Sequence, residues 1–242
     1  MPNEQHIASA FDRDLEGIQA TIMKMGGLVE AAIRNAVQAL DTRDEDLAAR
    51  VRADDALIDA LEDQINQDVA RVLATRAPTA GDLRTVLSVL KISSNLERIG
   101  DYAKNMGKRS LALAHLTPVE GASGSVRRMA RAVELMLKDA LDAYIQRDAE
   151  RAADVRARDH DVDQMYNALF RQFLTHMMED PRNITPCMHL HFIAKNTERM
   201  GDHVTAIAEQ VIYLVTGRFP DDQRPKGESV DIAPGDLPGG AR

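Results

Sequence analysis

Apolar residues recur at alternating spacings of four and three along the first forty residues of the chain, and this pattern constrains the fold more than any other feature. Such spacing is the seam of a long helix in a bundle. Comparable stripes predict five further helices, at about 47–75, 83–115, 126–146, 148–179 and 186–217. The sequence therefore predicts an all-α protein with six long helices. The first seam consists of Phe11, Leu15, Ile18, Ile22, Met25, Val29, Ala32, Ala36 and Ala39.

Turn-forming segments divide these helices into two groups of three. The stretches 41–46, 76–82 and 179–186 are short turns, whereas 116–125 is rich in small residues, Pro and Gly and resembles a linker. We therefore predict two tandem three-helix bundles, at 1–117 and 122–217. The remaining residues, 218–242, contain several prolines and glycines and no periodic apolar face, so we expect a disordered tail.

The two groups of helices are copies of one another. Residues 43–59 and 147–163 share nine identities in seventeen positions. Further along, "NLERIGDYAKN" (95–105) aligns with "NTERMGDHVTA" (196–206) at an offset of 101 instead of 104. The three-residue difference falls near the connecting turn, where changes of length are tolerated. The chain is therefore an internal tandem repeat.

Each repeat supplies two pairs of acidic residues spaced four apart, which places both carboxylates of a pair on one helix face, roughly 5–6 Å apart. Antiparallel packing of the second and third helices of a repeat can bring the two pairs opposite each other. Several like charges together are costly, and a bound hard cation would offset that cost. Gly100 and Gly201, inside the motifs, allow another group to approach closely. The eight acids are Asp55, Asp59, Glu97, Asp101, Asp159, Asp163, Glu198 and Asp202.

Other interpretations of these acids remain open. They could be solvated, or they could pair with Arg98 and Arg199 in a salt-bridge network, which would make the protein a purely structural helical scaffold. His160 and His203 have no histidine counterpart in the first repeat, so we expect them to be peripheral polar residues. The Met residues most simply fill gaps in the core.

Enzymatic function is disfavoured by what the sequence lacks. A carboxylate-bridged di-metal enzyme of the di-iron type uses Glu-x-x-His on two helices, but none of the seven histidines has Glu three residues before it. We also find no Gly-rich phosphate loop, zinc-type Cys pair or nucleophile elbow. The sequence therefore predicts a protein that is not an enzyme.

The charge and the cysteine content indicate which partners and which cellular compartment suit the chain. The net charge of −8 argues against nucleic-acid binding. The lone Cys187 cannot form an internal disulfide, which favours a reducing compartment. The polar N-terminus does not resemble a signal peptide, and no apolar run reaches the roughly 18–20 residues that cross a bilayer. We expect a cytoplasmic protein that reaches the membrane only by docking on a membrane complex.

The duplicated motifs resemble those of the PhoU family over about residues 5–217. The resembling features are "DALID" (55–59) and "DHDVD" (159–163), the Glu-Arg-x-Gly-Asp of 97–101 and 198–202, and the ending "VIYLVTG" (211–217). The resemblance implies two similar three-helix bundles in a cytoplasmic negative regulator of the phosphate-starvation response. Such a regulator couples the ATPase subunit of the phosphate-specific ABC transporter to a PhoR-type histidine kinase. A homodimer is also expected.

The resemblance further implies metal binding through the acidic motifs, with iron, zinc, Mn²⁺ or Mg²⁺. Carried over, the acids of 55–59 and 97–101 form one site and those of 159–163 and 198–202 form the other. This chain departs from the family pattern at two places. The Asn that often follows the motif is present as Asn105 but is replaced by Ala206 in the second repeat. After "VTG" the sequence continues as "RFPDD" and a longer tail.

Overall fold

The chain folds into α-helices joined by short turns. The computed structural model describes residues 2–76, 78 and 80–220, with side chains from residue 11 onward. Within these residues there are six α-helices and no strand, so the all-α prediction is confirmed. Residues 221–242, most of the segment predicted as a disordered tail, lie outside the described residues. The helices are α1 (Pro2–Thr42), α2 (Glu45–Arg76), α3 (Ala80–Ala114), α4 (Ala122–Gln146), α5 (Ala149–Glu179) and α6 (Ile184–Thr216), and a 3₁₀ turn, Pro181–Asn183, precedes α6.

Four helices form one layer, in the order α2, α3, α6, α5, and the other two lie behind it. The first helix packs on α2, α3 and α4, and α4 packs on α5, α6 and α1. The buried residues of the α1 seam, such as Ile22 and Val29, join Leu96 of α3 and Met200 of α6 in a single hydrophobic cluster. The three-helix units therefore share one core, with α3 and α6 at the centre of the molecule.

One side of α3 and α6 stays uncovered. Each helix contacts three others, α1, α2 and α6 for α3 and α3, α4 and α5 for α6. Their exposed and half-buried residues mark the fourth side, which we call the outer face. Arg98, Tyr102 and Asn105 lie on the outer face of α3, and Arg199 and Asp202 on that of α6.

The local structure repeats along with the sequence. Arg43 and Arg147 both have a left-handed backbone, with φ of 58° and 55°, at the ends of α1 and α4. The next residue then caps the following helix, because Oδ1 of Asp44 accepts a hydrogen bond from the Leu47 amide at 2.8 Å. Asp148 does the same for the Arg151 amide at 2.9 Å. These capping carboxylates satisfy amides that the helix itself leaves unpaired.

The linker between the repeats is shorter than the sequence predicts. Helix α4 begins at Ala122, four residues before the predicted start, and Gly121 precedes it with φ of 72°. A glycine is favoured at that position because other residues rarely adopt a positive φ. Among the described residues, none of the helices combines the length and the apolar character needed to span a membrane.

Candidate functional site

The acidic residues of the first repeat come together where α2 meets α3. Asp55 of α2 is 3% exposed, and its Oδ2 accepts a hydrogen bond from Nζ of Lys104 at 2.5 Å. The same ammonium lies 3.6 Å from Oδ1 of Asp101 on α3. Asp59 is exposed, and the pKa of its carboxyl is raised by partial burial and by the charges of its neighbours, Asp55 first. The two acidic pairs of the first repeat therefore face each other with Lys104 between them.

Glu97 is the most perturbed carboxyl of this group. Burial raises its pKa to about 7, and the charge of Asp101 contributes in the same direction. The nearby Arg98, whose Nε lies 3.4 Å from Oε2 of Glu97, counteracts only part of this rise. At neutral pH Glu97 is therefore protonated in a large fraction of molecules, and a hydrogen bond with the Asp101 carboxyl adds to the rise of its pKa.

The second repeat gathers its acids in a similar way but neutralises them differently. Oε1 of Glu198 accepts a hydrogen bond from Nζ of Lys195 at 2.7 Å. Its Oε2 is buried and has no hydrogen-bond partner among the described residues. Burial raises the pKa of Glu198, and the charges of Asp202 and Asp163 add to the rise. Asp202 itself is exposed.

The two motif glycines lie where the carboxylates cross from one helix to the next. A Cβ on Gly201 would lie 3.1 Å from Oδ1 of Asp159. A Cβ on Gly100 would lie 2.9 Å from Cδ1 of Ile58 and 3.5 Å from Oδ1 of Asp55. Glycine therefore lets an acidic side chain of α2 or α5 pack directly against the motif helix, which is the role that the sequence predicts for both.

Residues adjacent to the acids join the two repeats. Nδ1 of His203 forms a 2.8 Å hydrogen bond with Oδ1 of Asn95, and the rings of His203 and Tyr102 lie 5.6 Å apart. The Tyr102 hydroxyl raises the pKa of Arg199 through a hydrogen bond. Burial lowers the pKa of His203, which keeps its ring neutral near pH 7. His203, predicted to be peripheral, therefore lies at the contact between the repeats, whereas His160 is half-buried and contacts Gln164 on its own helix.

Sequence reasoning missed the two lysines of the site. Lys104 and Lys195 each lie three positions from an acidic motif residue on the same helix, a spacing at which side chains are neighbours. That spacing was a usable signal. The contact of His203 with Asn95 joins residues 108 positions apart, and the sequence carries no signal for it.

The donor chemistry of these residues suits a hard cation. All eight are carboxylates, and Oδ1 of the buried Asp55 and Oε2 of Glu198 have no hydrogen-bond partner among the described residues. Burial first, and neighbouring carboxylates in addition, raise the pKa values of Glu97 and Glu198. No three His, Cys, Asp or Glu side chains in the described part of the chain converge closely enough to hold a metal ion, however. Lysine ammonium groups supply part of the positive charge instead.

Comparisons with known proteins agree with one another. The family model described as PhoU domain matches twice, at residues 22–110 and 126–211. A phosphate-specific transport system accessory protein PhoU homolog of Rhizobium meliloti is 44% identical over 92% of this chain and 94% of its own length. A homolog of the same description from Caulobacter vibrioides is also 44% identical, over 92% of this chain and 96% of its own length.

Solved structures show the same fold. The crystal structure of PhoU from Pseudomonas aeruginosa aligns with a TM-score of 0.82 at 39% identity, covering 86% of this chain and all of that one. A phosphate transport system regulatory protein PhoU from Streptococcus pneumoniae aligns with a TM-score of 0.80 at 29% identity, covering 87% of this chain and 99% of its own.

Proposed function

The chain belongs to the PhoU family of phosphate transport accessory proteins, and we propose that it is a negative regulator of the phosphate-starvation response that also modulates phosphate uptake. It couples the ATPase subunit of a phosphate-specific ABC transporter to a PhoR-type histidine kinase, as a cytoplasmic homodimer docked at the membrane through these partners. The observation that carries the proposal is the similarity over nearly the whole chain to phosphate-specific transport system accessory proteins.

The regulator acts by binding, without catalysing a reaction. A protein shifts a kinase between two states only by as much as it prefers one of them. The outer face supports this role because it exposes charged side chains of both repeats side by side, including Arg98, Arg199 and Asp202. The hydrogen bond between His203 and Asn95 fixes the position of one motif relative to the other. A partner that contacts both motifs at once would therefore bind with an affinity that depends on this relative position.

We further propose that the acidic motifs bind iron, zinc, Mn²⁺ or Mg²⁺. In this proposal Asp55, Asp59, Glu97 and Asp101 bind in the first repeat. The second set is formed by the equivalent acids, Asp159, Asp163, Glu198 and Asp202. The bound cation supplies positive charge that relieves the mutual repulsion of the carboxylates. The raised pKa of Glu97, and the Glu198 oxygen that has no hydrogen-bond partner among the described residues, support the proposal, since a cation beside either carboxyl would favour its ionised form.

The alternative is a structural scaffold in which Lys104 and Lys195 are the permanent counter-ions of the acids. The pairing distances of 2.5 and 2.7 Å favour it. Elemental analysis of the purified protein separates the two possibilities. We expect bound metal in the natural chain and less in Glu97→Gln/Asp101→Asn. Equal metal content in both would remove these two residues from the site.

A genetic experiment tests the regulatory role directly. Deletion of the gene should derepress phosphate-starvation genes in phosphate-rich medium, and the natural chain should restore repression. Normal repression in the deletion strain contradicts the proposal. A strain carrying the Glu97→Gln/Asp101→Asn variant then tests whether signalling requires the acidic motif, independently of whether the chain is a regulator.

A further inference from the structure

An exposed aromatic surface lies beside the acidic motifs of the second repeat and has no part in the function proposed above. The ring of His191 on α6 lies 6.0 Å from Tyr166 and 5.4 Å from Phe170, both on α5, and 5.7 Å from Phe192. We call these four residues the aromatic cluster. Phe192 is 41% exposed, and exposed apolar residues continue the surface. They are Leu174 and Met178 on α5 and Ile184 and Met188 on α6.

Two cations border the aromatic cluster. The guanidinium carbon of Arg109, on α3, lies 4.0 Å from the centre of the Phe192 ring. Burial lowers the pKa of Arg109, and no carboxylate of the described residues forms an ion pair with it. On the other side, Nζ of Lys195 lies 5.0 Å from the Tyr166 ring centre. His191 adds no charge near pH 7, because burial and the charge of Lys195 lower its pKa. The surface is apolar with a positive edge.

The first repeat shows that the fold does not require this surface. At the positions of Phe192 and His191 the first repeat has Lys91 and Leu90. The α5 aromatics, Tyr166 and Phe170, correspond to Glu62 and Asn66, and Arg109 corresponds to Gln210 of the second repeat. The same helices therefore pack in the first repeat without aromatic rings, which indicates that the cluster serves a contact beyond the six-helix core.

We propose that the C-terminal segment 228–237 of the same chain, "ESVDIAPGDL", covers the aromatic cluster. The segment carries three acidic residues and no basic one, and it alternates them with Val230, Ile232 and Leu237. Acidic groups complement Arg109, which forms no ion pair with a carboxylate of the described residues, and the apolar side chains complement the exposed rings. The acidic residues of this segment therefore match the positive edge of the aromatic cluster, and its apolar residues match the exposed rings.

The course of the chain after α6 supports this placement. The Phe219 ring stacks on Tyr213, with centroids 4.3 Å apart and planes 5° apart, so the chain turns back along α6. Tyr213 lies on the side of α6 that faces α3, because Arg84 of α3 lies over its ring. Phe192 lies on the same side, because Arg109 of α3 lies over its ring. Returning from Tyr213 to Phe192 covers about 32 Å of helix at 1.5 Å per residue. The eleven residue steps that separate Phe219 from Val230 in the sequence can reach at most about 36–40 Å, which is sufficient.

Tryptophan fluorescence tests the proposal on the full-length chain. The natural sequence contains no Trp, so Phe192→Trp places a single reporter in the cluster. In that background we compare Val230→Ser/Ile232→Ser with a matched control in the same tail, Asp221→Ser/Asp222→Ser. We expect red-shifted emission and stronger acrylamide quenching in the Val230/Ile232 variant, and an unchanged signal in the control. A synthetic peptide of residues 226–238 should reverse the shift in that variant. Met188→Trp provides a second reporter, on the exposed apolar surface beside the cluster.

Two outcomes overturn the proposal. Identical emission and quenching in the two tail variants mean that segment 228–237 does not cover the ring. Protection that is the same in both variants but disappears on dilution means that a second copy of the chain covers the cluster instead.

Discussion

Nζ of Lys104 on α3 lies 2.5 Å from Oδ2 of Asp55 on α2, and this ammonium is the counter-ion of a carboxylate that is 3% exposed. The equivalent position in the second repeat is Thr205, which has no charge. There the positive charge comes from Lys195, three residues before Glu198. Two repeats with the same acidic motif therefore balance its charge with lysines from different positions.

Replacing Lys104 with Met should destabilise the protein, because it leaves Asp55 buried without its partner. Loss of one member of a fully buried ion pair costs about 3–5 kcal/mol, and since Lys104 is itself 42% exposed we expect about 2 kcal/mol. Urea unfolding at pH 7 measures the change. Lys91→Met, at an exposed position of the same helix, is the control and should cost less than about 0.5 kcal/mol. Equal effects of the two substitutions contradict this prediction.

Glu97→Gln should stabilise the protein at pH 8 and progressively less as the pH falls. The pKa of Glu97 is about 7 in the folded protein and near 4.5 in the unfolded chain. Between these values the folded state binds one more proton, so the natural protein loses stability as the pH rises from about 4.5 to 7. A neutral Gln avoids this loss.

The measurement is the difference in unfolding free energy between the natural protein and Glu97→Gln, at pH 5 and pH 8 with EDTA present. We expect the difference to change by about 1–2 kcal/mol in favour of the variant at pH 8. Glu120→Gln, an exposed residue in the linker, controls for general charge effects and should show no such trend. A difference in unfolding free energy that is independent of pH contradicts the raised pKa of Glu97 in the folded protein.

The helices and their repeat could be predicted because both depend on residues that are close together in the sequence. Apolar periodicity predicts each helix. Identical residues at equivalent positions, such as Arg43 and Arg147, indicate the duplication, and the two copies have the same backbone and capping geometry. The helix ends depend on features other than the apolar stripe. Helix α4 extends back to Ala122 because Gly121 adopts a positive φ and allows the chain to enter the helix earlier than the apolar stripe suggests.

Contacts between distant positions could not be predicted, because they depend on how the repeats pack. The sequence identifies the eight acids but contains no information that α3 and α6 meet at the centre. For the same reason it does not indicate that Arg109 lies over Phe192. Lys104 and Lys195 are an intermediate case. The sequence shows their spacing from the motif acids, but it does not show which carboxylate each lysine contacts.

Gly100→Ala should destabilise the protein even though Ala is the better helix former. The new Cβ would lie 2.9 Å from Cδ1 of the buried Ile58, and the strain should exceed the gain of about 1 kcal/mol in helix propensity. In contrast, Gly27→Ala has open space around it and should stabilise by about 0.5–1 kcal/mol. Thermal unfolding measures both.

A second substitution tests the cause of this strain. Ile58→Val removes the δ-methyl group that the Gly100→Ala Cβ would meet, so the double variant should lose less stability than the sum of the single variants. Additive effects mean that another contact limits position 100.

Mn²⁺ should raise the melting temperature of chain previously treated with EDTA, if the acidic motifs bind metal as proposed. Binding to the folded state alone stabilises it by about 2.7 kcal/mol at one hundred times the dissociation constant. The rise should be larger in Lys104→Met, because removal of the ammonium leaves the buried Asp55 without its cation, whereas Asp101 keeps its ion pair with Arg98. It should be smaller in Glu198→Gln/Asp202→Asn. Equal rises in all of these proteins contradict binding at the motifs, and the absence of any rise favours the structural scaffold.

The hydrogen bond between His203 and Asn95 should couple the two repeats energetically. The bond is 2.8 Å long, both residues are half-buried, and each lies within two positions of a motif acid, Asp202 and Glu97. Groups in direct contact show interaction energies of about 0.5–3 kcal/mol in a double-mutant cycle. We therefore expect His203→Ala and Asn95→Ala to be less than additive in urea unfolding, by about 1 kcal/mol. Tyr102 and Arg199, which form a hydrogen bond between the same two helices, supply a second cycle. Strict additivity of His203→Ala and Asn95→Ala would show that this hydrogen bond does not couple the two repeats energetically.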